Sequence, residues 1–383
     1  MKKKNLALIL AILMLLSCLT ACAKDSTAQA DSTDVPNAES SDAAASETQQ
    51  AKDYSLAYAE LGEGVWAIDY YMLEAQYLVE GLDNKFTHTS SDFSVDKMHS
   101  DIESLLVSGI DGLFYYGCFP TITQKVADAC DKNGTPFVMP DQLPLNEYAE
   151  IVQSSSSFAG AVGSNPYEVG YQMGQYAYQN GGRNALILAG GEGDSCHDGR
   201  TNGFKAGFEE AGGTVVAISR VANMSDAATS ASDLLTANPD VDTWYGATAD
   251  HGQFALTALQ NAGRDDVMVY CTDCDNSIIS AVKDGKVVAD GGAVICTTLS
   301  ACLLINALDG HPILDADGKA PIFDSCLNFI ITSEDADTFD ANWIQNHIFS
   351  VDDYKELLYR YNSDVSYETF QSFIDNYGLS SAK

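Results

Sequence analysis

From Tyr54 onward the chain alternates short apolar runs with stretches whose apolar residues recur every three or four positions. Ser55–Leu61 reads as a strand, and the stretch after it puts Ile68, Tyr71, Met72, Ala75, Leu78, Val79 and Leu82 on one helical face. The spacing then predicts a strand at Phe86–Thr89, a helix carrying Val95, Met98, Ile102, Leu105 and Leu106, and a strand at Gly112–Tyr116. A helix over Ile122–Lys132, stopped by Asn133-Gly134, leads to a fourth strand at Pro136–Pro140. After the polar passage Ser154–Ser157 a second series begins at Asn165-Pro166-Tyr167-Glu168, where Asn caps a helix and Pro fills its first turn. That helix ends at Asn180-Gly181. Strands at Ala185–Ala189, Val215–Ile218, Thr243–Gly246, Val267–Cys271 and Val287–Ala289 then alternate with helices at Thr201–Ala211, Asp226–Ala237, Phe254–Ala262 and Ile278–Lys283. Strands separated by helices predict parallel sheets with crossover helices, and two consecutive series predict two lobes.

The region before Tyr54 has a different character. Lys2, Lys3 and Lys4 precede an apolar core, Leu6–Leu16, that is only eleven residues long. A bilayer span needs about 20, so this core predicts an export signal. Leu19-Thr20-Ala21-Cys22 resembles the lipobox of bacterial lipoproteins, which implies a lipid on Cys22 and a protein anchored to the membrane without spanning it. Residues 23–53 are dominated by Ala, Ser, Thr, Asp, Glu and Gln and contain no aromatic side chain. They are too polar to offset chain entropy by burial and predict a flexible tether.

A formal charge of −34, more negative still once the leader lysines are removed, repels phosphate backbones and argues against a nucleic-acid partner. Ten cysteines include Cys18 in the leader and Cys22. The other eight are spread over a large domain, mostly inside apolar runs, and do not make the framework of a small disulfide-rich protein. Cys271-Thr272-Asp273-Cys274 has redox or metal spacing, but without a second such pair it reads as structural.

A more specific resemblance runs through residues 54–333. Leu234-Leu235-Thr236-Ala237-Asn238-Pro239-Asp240-Val241 is its clearest stretch, followed by Ala249-Asp250, Ala258-Leu259, Ala262-Gly263, Asp266-Val267-Met268-Val269, Thr272-Asp273 and Ala281-Val282-Lys283-Asp284-Gly285. The chain resembles the type I periplasmic binding proteins, in particular the sugar-binding branch with the ribose- and galactose-binding proteins. The resemblance implies an α/β fold of two doubly wound parallel-sheet lobes joined by a three-segment hinge, with crossings near Ser157–Gly163, Gly292–Cys296 and Phe323–Asn328. The corresponding layout is a leader at 1–22, a tether at 23–53, an N-terminal lobe at 54–160 plus 293–325, a C-terminal lobe at 161–292 plus 326–349, and a helical extension at 350–383. Helical patterns at Tyr354–Tyr361 and Tyr367–Tyr377 lie in that extension.

Ligands of open parallel sheets bind beyond the carboxyl ends of the strands. Asp141, after the fourth strand, and Asp273, after Val267–Cys271, fall where the resemblance implies sugar-contacting aspartates. Arg200, in Gly199-Arg200-Thr201-Asn202-Gly203-Phe204, falls where it implies a ligand-binding arginine at a helix start. Trp66 falls where it implies an aromatic ring against the sugar. Asp250 completes the set. Glu63, Gln142 and Tyr116 are weaker candidates. Three departures stand out: Ala249 replaces the family's Asn, Gly291-Gly292-Ala293 replaces a Gln near the second crossing, and Gly62-Glu63-Gly64-Val65-Trp66 replaces an Asn-Pro-aromatic loop. They point to a roomier, more acidic cleft, suited to a larger, modified or amine-bearing ligand.

The expected function is that of an extracellular solute-binding lipoprotein, a monomer without metal or cofactor, delivering a small polar ligand, a sugar first of all, to an ABC transporter permease. Presentation of the ligand to a membrane receptor, and a nucleoside or other polar guest, are the alternatives. An enzyme is not expected. Gly190-Gly191-Glu192-Gly193 follows an internal strand and reaches Cys196 where a dinucleotide fingerprint needs its third Gly. Asp315-Ala316-Asp317-Gly318 opens like a calcium loop, lacks the remaining ligands and reads as a turn. A transcriptional repressor, which shares the fold, is set aside because the chain opens on an export signal rather than a DNA-binding unit.

Overall fold

In a computed structural model that describes residues 53–326 and 328–379, the strand–helix alternation is carried through twice. The leader, Cys22 and nearly all of the tether lie outside the described residues. The first series is β1 (Ser55–Glu60), α1 (Trp66–Gly81), β2 (Lys85–Ser90), α2 (Val95–Ser108), β3 (Gly112–Tyr115), α3 (Thr123–Asn133), β4 (Phe137–Pro140), α4 (Glu147–Ser154) and β5 (Phe158–Val162). The second is α5 (Pro166–Gln179), β6 (Asn184–Gly190), α6 (Ser195–Glu210), β7 (Thr214–Val221), α7 (Ala227–Ala237), β8 (Thr243–Gly246), α8 (Ala249–Ala262), β9 (Met268–Cys271), α9 (Ile279–Lys283) and β10 (Val287–Gly291). Then come α10 (Ile295–Leu308), β11 (Ile322–Phe323), β12 (Phe329–Ile331), α11 (Ala336–Phe339), α12 (Val351–Tyr354) and α13 (Tyr367–Asn376).

These strands form two sheets of six, ordered β11-β5-β4-β3-β1-β2 and β12-β10-β9-β8-β6-β7. All pairings are parallel except β12 against β10. Every residue of β3, β4 and β8 is buried, as expected of central strands covered on both faces. The chain passes from one sheet to the other after β5, after β10 and between β11 and β12. Following the second passage, α10 returns to pack on α1 and on β3, β4 and β5 of the first lobe.

Several elements differ from the sequence reading. The Ser-rich passage hides α4 and the short strand β5. Helix α6 begins at Ser195, six residues before the predicted start, because the Asp194 carboxylate accepts the N–H groups of Cys196 and His197 and caps it there. Helix α10 is buried on all sides from Ile295 to Asn306, so it shows no periodicity to read. In the tail the expected Tyr354–Tyr361 helix is a single turn, α12, followed by a 3₁₀ turn at Lys355–Leu357. Asp315–Gly318 is a turn as expected, closed by Gly318 N–H on the Asp315 carbonyl (3.0 Å) and by Asp317 N–H on the Asp315 carboxylate (2.9 Å).

Glycines set the position of α6. Cβ atoms on Gly170 and Gly174 of α5, or on Gly203 and Gly207 of α6, would strike backbone atoms of the facing helix. At four-residue spacing these glycines let the two backbones touch along their length, and α6 carries Arg200 at the resulting depth.

Candidate ligand-binding cleft

Two strand ends carry the polar centre of the molecule. Asp141 directly follows β4, and Asp273 lies two residues past β9; both have left-handed backbone conformations, φ 62° and 70°. Such conformations are costly for a non-glycine residue and cluster where surrounding structure dictates a side chain's direction. The two carboxylates, one from each lobe, line a single cavity of about 270 Å³. The first lobe adds Val65, Ile68 and Tyr71 at the start of α1, with Tyr116 and Cys118 after β3. The second adds Cys196, His197 and Arg200 at the start of α6, Thr248 to His251 at the start of α8, and Asp275.

Asp141 accepts hydrogen bonds from Tyr116 Oη (2.9 Å) and Gln142 Nε2 (2.7 Å). Burial pushes its carboxyl group upward against the opposing pull of Arg200 and of these two donors. Arg200 is 9% exposed. Its Nη1 donates to the Ala247 carbonyl (3.1 Å) and to Asp273 Oδ2 (3.2 Å), and its Nη2 donates to Asp273 Oδ1 (3.3 Å). This planar fork fixes both side chains and leaves the Arg200 Nε without a partner among the described residues. Beneath it, Asp290 accepts from Asn328 Nδ2 (3.0 Å). Burial first, and the nearby Asp273 second, push the Asp290 carboxyl up to about 7.

Two histidines complete the wall. Gly190 N–H donates to His197 Nδ1 (3.1 Å), which puts the ring proton on Nε2. His251 Nδ1 lies 2.6 Å from Thr248 Oγ1, and its Nε2 has no partner among the described residues. Burial pushes His251 down to about 3 and lowers His197 as well, so both rings are neutral at physiological pH. They meet edge to face at 5.3 Å.

Of the five nominated residues, Asp141, Arg200, Asp250 and Asp273 line this cavity, together with the weaker candidates Tyr116 and Gln142. Asp250 is half-buried in the first turn of α8, and burial, then Asp275 and Asp273, raise its carboxyl. Trp66 is placed elsewhere. It opens α1, stacks on Tyr70 at 4.8 Å and lines a small recess with Phe339 and Trp343 beside Gly291–Ala293, which adjoins the cavity at Ala67, Tyr71 and Asp273. At about 40 Å³ the recess has room for waters rather than a sugar ring. Glu63 is exposed and lines neither cavity.

Sequence reasoning passed over Tyr71, His197, His251 and Asp275. Tyr71 was assigned to the core face of α1, and it does lie there, at the end that opens on the cleft. The other three sit within three residues of a nominated one, so a search of the turn around each strand-end residue would have found them. The eight cysteines of the folded region are free thiols, and burial raises both Cys271 and Cys274, in keeping with a structural reading of that pair. Among the described residues no group of His, Cys, Asp and Glu is arranged to hold a metal ion, and no helix is long and apolar enough to cross a membrane.

A family model described as a periplasmic binding protein domain matches residues 57–294. The chain belongs to the periplasmic binding protein family. Its fold is the type I arrangement, and the family places it outside the cytoplasm. Among solved structures, an ABC transporter periplasmic solute-binding protein of Actinobacillus succinogenes with bound D-allose aligns with a TM-score of 0.66 at 16% identity, over 74% of this chain and 99% of that one. A solute-binding protein of Bacillus halodurans with bound myo-inositol gives 0.63 at 18% identity, over 75% and 96%. A glucose–galactose binding protein of Geobacillus stearothermophilus gives 0.62 at 16% identity, over 74% and 99%. No curated protein matches the sequence of this periplasmic binding protein. At these identities the solved structures speak for the fold alone.

Proposed function

We propose that this protein captures a small polyhydroxylated ligand between its lobes and delivers it to an ABC transporter permease, acting as a lipoprotein anchored through Cys22. One observation carries the ligand reading. Asp141 with its Tyr116 and Gln142 donors, and Arg200 with its Asp273 fork, are held on opposite lobes and line one cavity. Adjacent hydroxyls suit such groups, because a carboxylate accepts from two of them while a guanidinium donates to their oxygens. The D-allose and myo-inositol in the fold's relatives are ligands of this chemistry.

Binding begins on one lobe, and contacts from the other stabilise a closed form about the three crossings. The guest is released unchanged. A thermal-shift panel of sugars, cyclitols and nucleosides tests this reading, followed by solution scattering with the best binder. A stabilising polyol that shrinks the radius of gyration and is recovered intact is expected. A binder that leaves the scattering unaltered, or a guest converted to product, would overturn the proposal.

A further inference from the structure

Charge in the cleft is one-sided. Five aspartates line it, Asp141, Asp194, Asp250, Asp273 and Asp275, against a single cation, Arg200, and no lysine. Arg200 is already committed, since both its Nη atoms are forked onto Asp273. Nor does either histidine supply positive charge, both being held neutral by burial.

Three of the remaining acids are hydrogen-bonded to dipoles, and of these only Asp141 also feels the Arg200 charge. Asp141 has its phenol and amide, Asp194 caps α6 through two backbone N–H groups, and Asp275 accepts from Ser277 N–H (2.8 Å), Ser277 Oγ (2.6 Å) and Ile278 N–H (3.1 Å). Among the described residues no ion pair reaches any of them. Burial raises the Asp141, Asp250 and Asp275 carboxyls, and Asp250 and Asp275 are further disfavoured by neighbouring acids. Two groups more than nine-tenths buried in the same wall, His251 and Arg200, each have a nitrogen with no partner among the described residues, His251 Nε2 and Arg200 Nε.

Closing the lobes on a neutral sugar would give these carboxylates hydroxyl donors in place of water but no positive charge, and a buried charge is penalised most where no counter-charge accompanies it. A guest with an ammonium group removes that penalty. We infer that the preferred ligand is an amine-bearing polyol, an amino sugar or amino cyclitol, whose ammonium lies against Asp250 and Asp275 while its hydroxyls engage Asp141 and Arg200. The inference rests on the polyol-binding reading and narrows it.

The test is calorimetric titration of the folded chain with matched pairs, D-glucosamine against D-glucose and D-galactosamine against D-galactose, at low and high salt. The expected result is binding at least ~10-fold tighter for the amine of a pair, an advantage that shrinks as salt screens it. In Asp250→Asn the amine-to-neutral ratio falls about tenfold, and in Asp250→Glu, which keeps the charge, it persists. Neutral sugars binding as tightly as their amines, or a ratio indifferent to Asp250→Asn in a protein with unchanged melting temperature, overturns the amine inference and leaves the polyol reading standing. Failure of every sugar, cyclitol, amino sugar and amino cyclitol to bind overturns both.

Discussion

Arg200 and Asp273 meet as a planar fork, Nη1 3.2 Å from Oδ2 and Nη2 3.3 Å from Oδ1, with the arginine carried by α6 and the aspartate by the turn after β9. The pair ties two crossover units of one lobe together at the point where a ligand would rest. Removing Asp273 leaves a guanidinium in a nearly dry site, and removing Arg200 leaves Asp273 facing Asp290.

Asp273→Ala and Arg200→Ala are each expected to cost about 3 kcal/mol of stability. Their effects should fall short of additive by ~1–2 kcal/mol in the double variant. Urea denaturation of the four proteins in a cycle measures this. Strictly additive losses would mean that the fork contributes nothing to the fold.

A pH dependence follows from Asp290, whose carboxyl is pushed up to about 7 from an ordinary value of 3.8. Between those two values the folded protein keeps a proton that the unfolded chain has released. Stability from this group is therefore full below about pH 4 and is lost as pH rises through about 7. The raised carboxyls of Asp141, Asp250 and Asp275 act with the same sign. Urea midpoints across pH 4–8 should fall by the equivalent of up to ~4 kcal/mol for Asp290 alone. Asp290→Asn should flatten that slope; an unchanged slope would contradict the assignment.

Much of this architecture was legible because the physics is local. Caps such as Asn165 and stops such as Gly134 act within a turn of the helices they bound, and central strands such as β3, β4 and β8 show as apolar runs. What could not be read was decided by tertiary context. α10 has no polar face to create a period, and α6 is interrupted in sequence by the glycines that its contact with α5 requires. At the site, Asp141, Arg200, Asp250 and Asp273 were findable as strand-end or helix-start residues. Position after β1 does not say which way α1 turns its first residue, and Trp66 lines the recess beside Gly291–Ala293 that adjoins the cleft.

The contact between α5 and α6 gives a third expectation. Gly203→Ala would push a methyl group into the Tyr167 carbonyl and the Tyr171 backbone nitrogen, neither of which can move freely. A loss of ~1–3 kcal/mol is expected, against no more than about 0.5 for Lys205→Ala on the exposed face of the same helix. Thermal melts of the two variants distinguish close helix contact from general intolerance of α6.

The tail gives a fourth. Arg360 forks onto Asp309 at 2.8 and 2.7 Å, and Tyr54 Oη donates to the same carboxylate at 2.8 Å, joining the tail, the end of α10 and the start of β1. Asn306 Nδ2 adds a bond to the Leu357 carbonyl (2.8 Å). Arg360→Ala should cost ~3 kcal/mol in urea denaturation, because it leaves Asp309 without its cation. A loss below ~0.5 kcal/mol would make the tail an accessory to the first lobe rather than part of its fold.

The most direct test of the central claim is calorimetric titration of the tightest-binding polyol into the wild-type protein and into Asp141→Ala, Arg200→Ala and Asp273→Ala, each first shown to be folded. Affinity should fall by at least ~10–100-fold in each folded variant, since each loses a hydrogen bond to a charged group. Equal affinity in all four proteins would place the ligand outside this cleft.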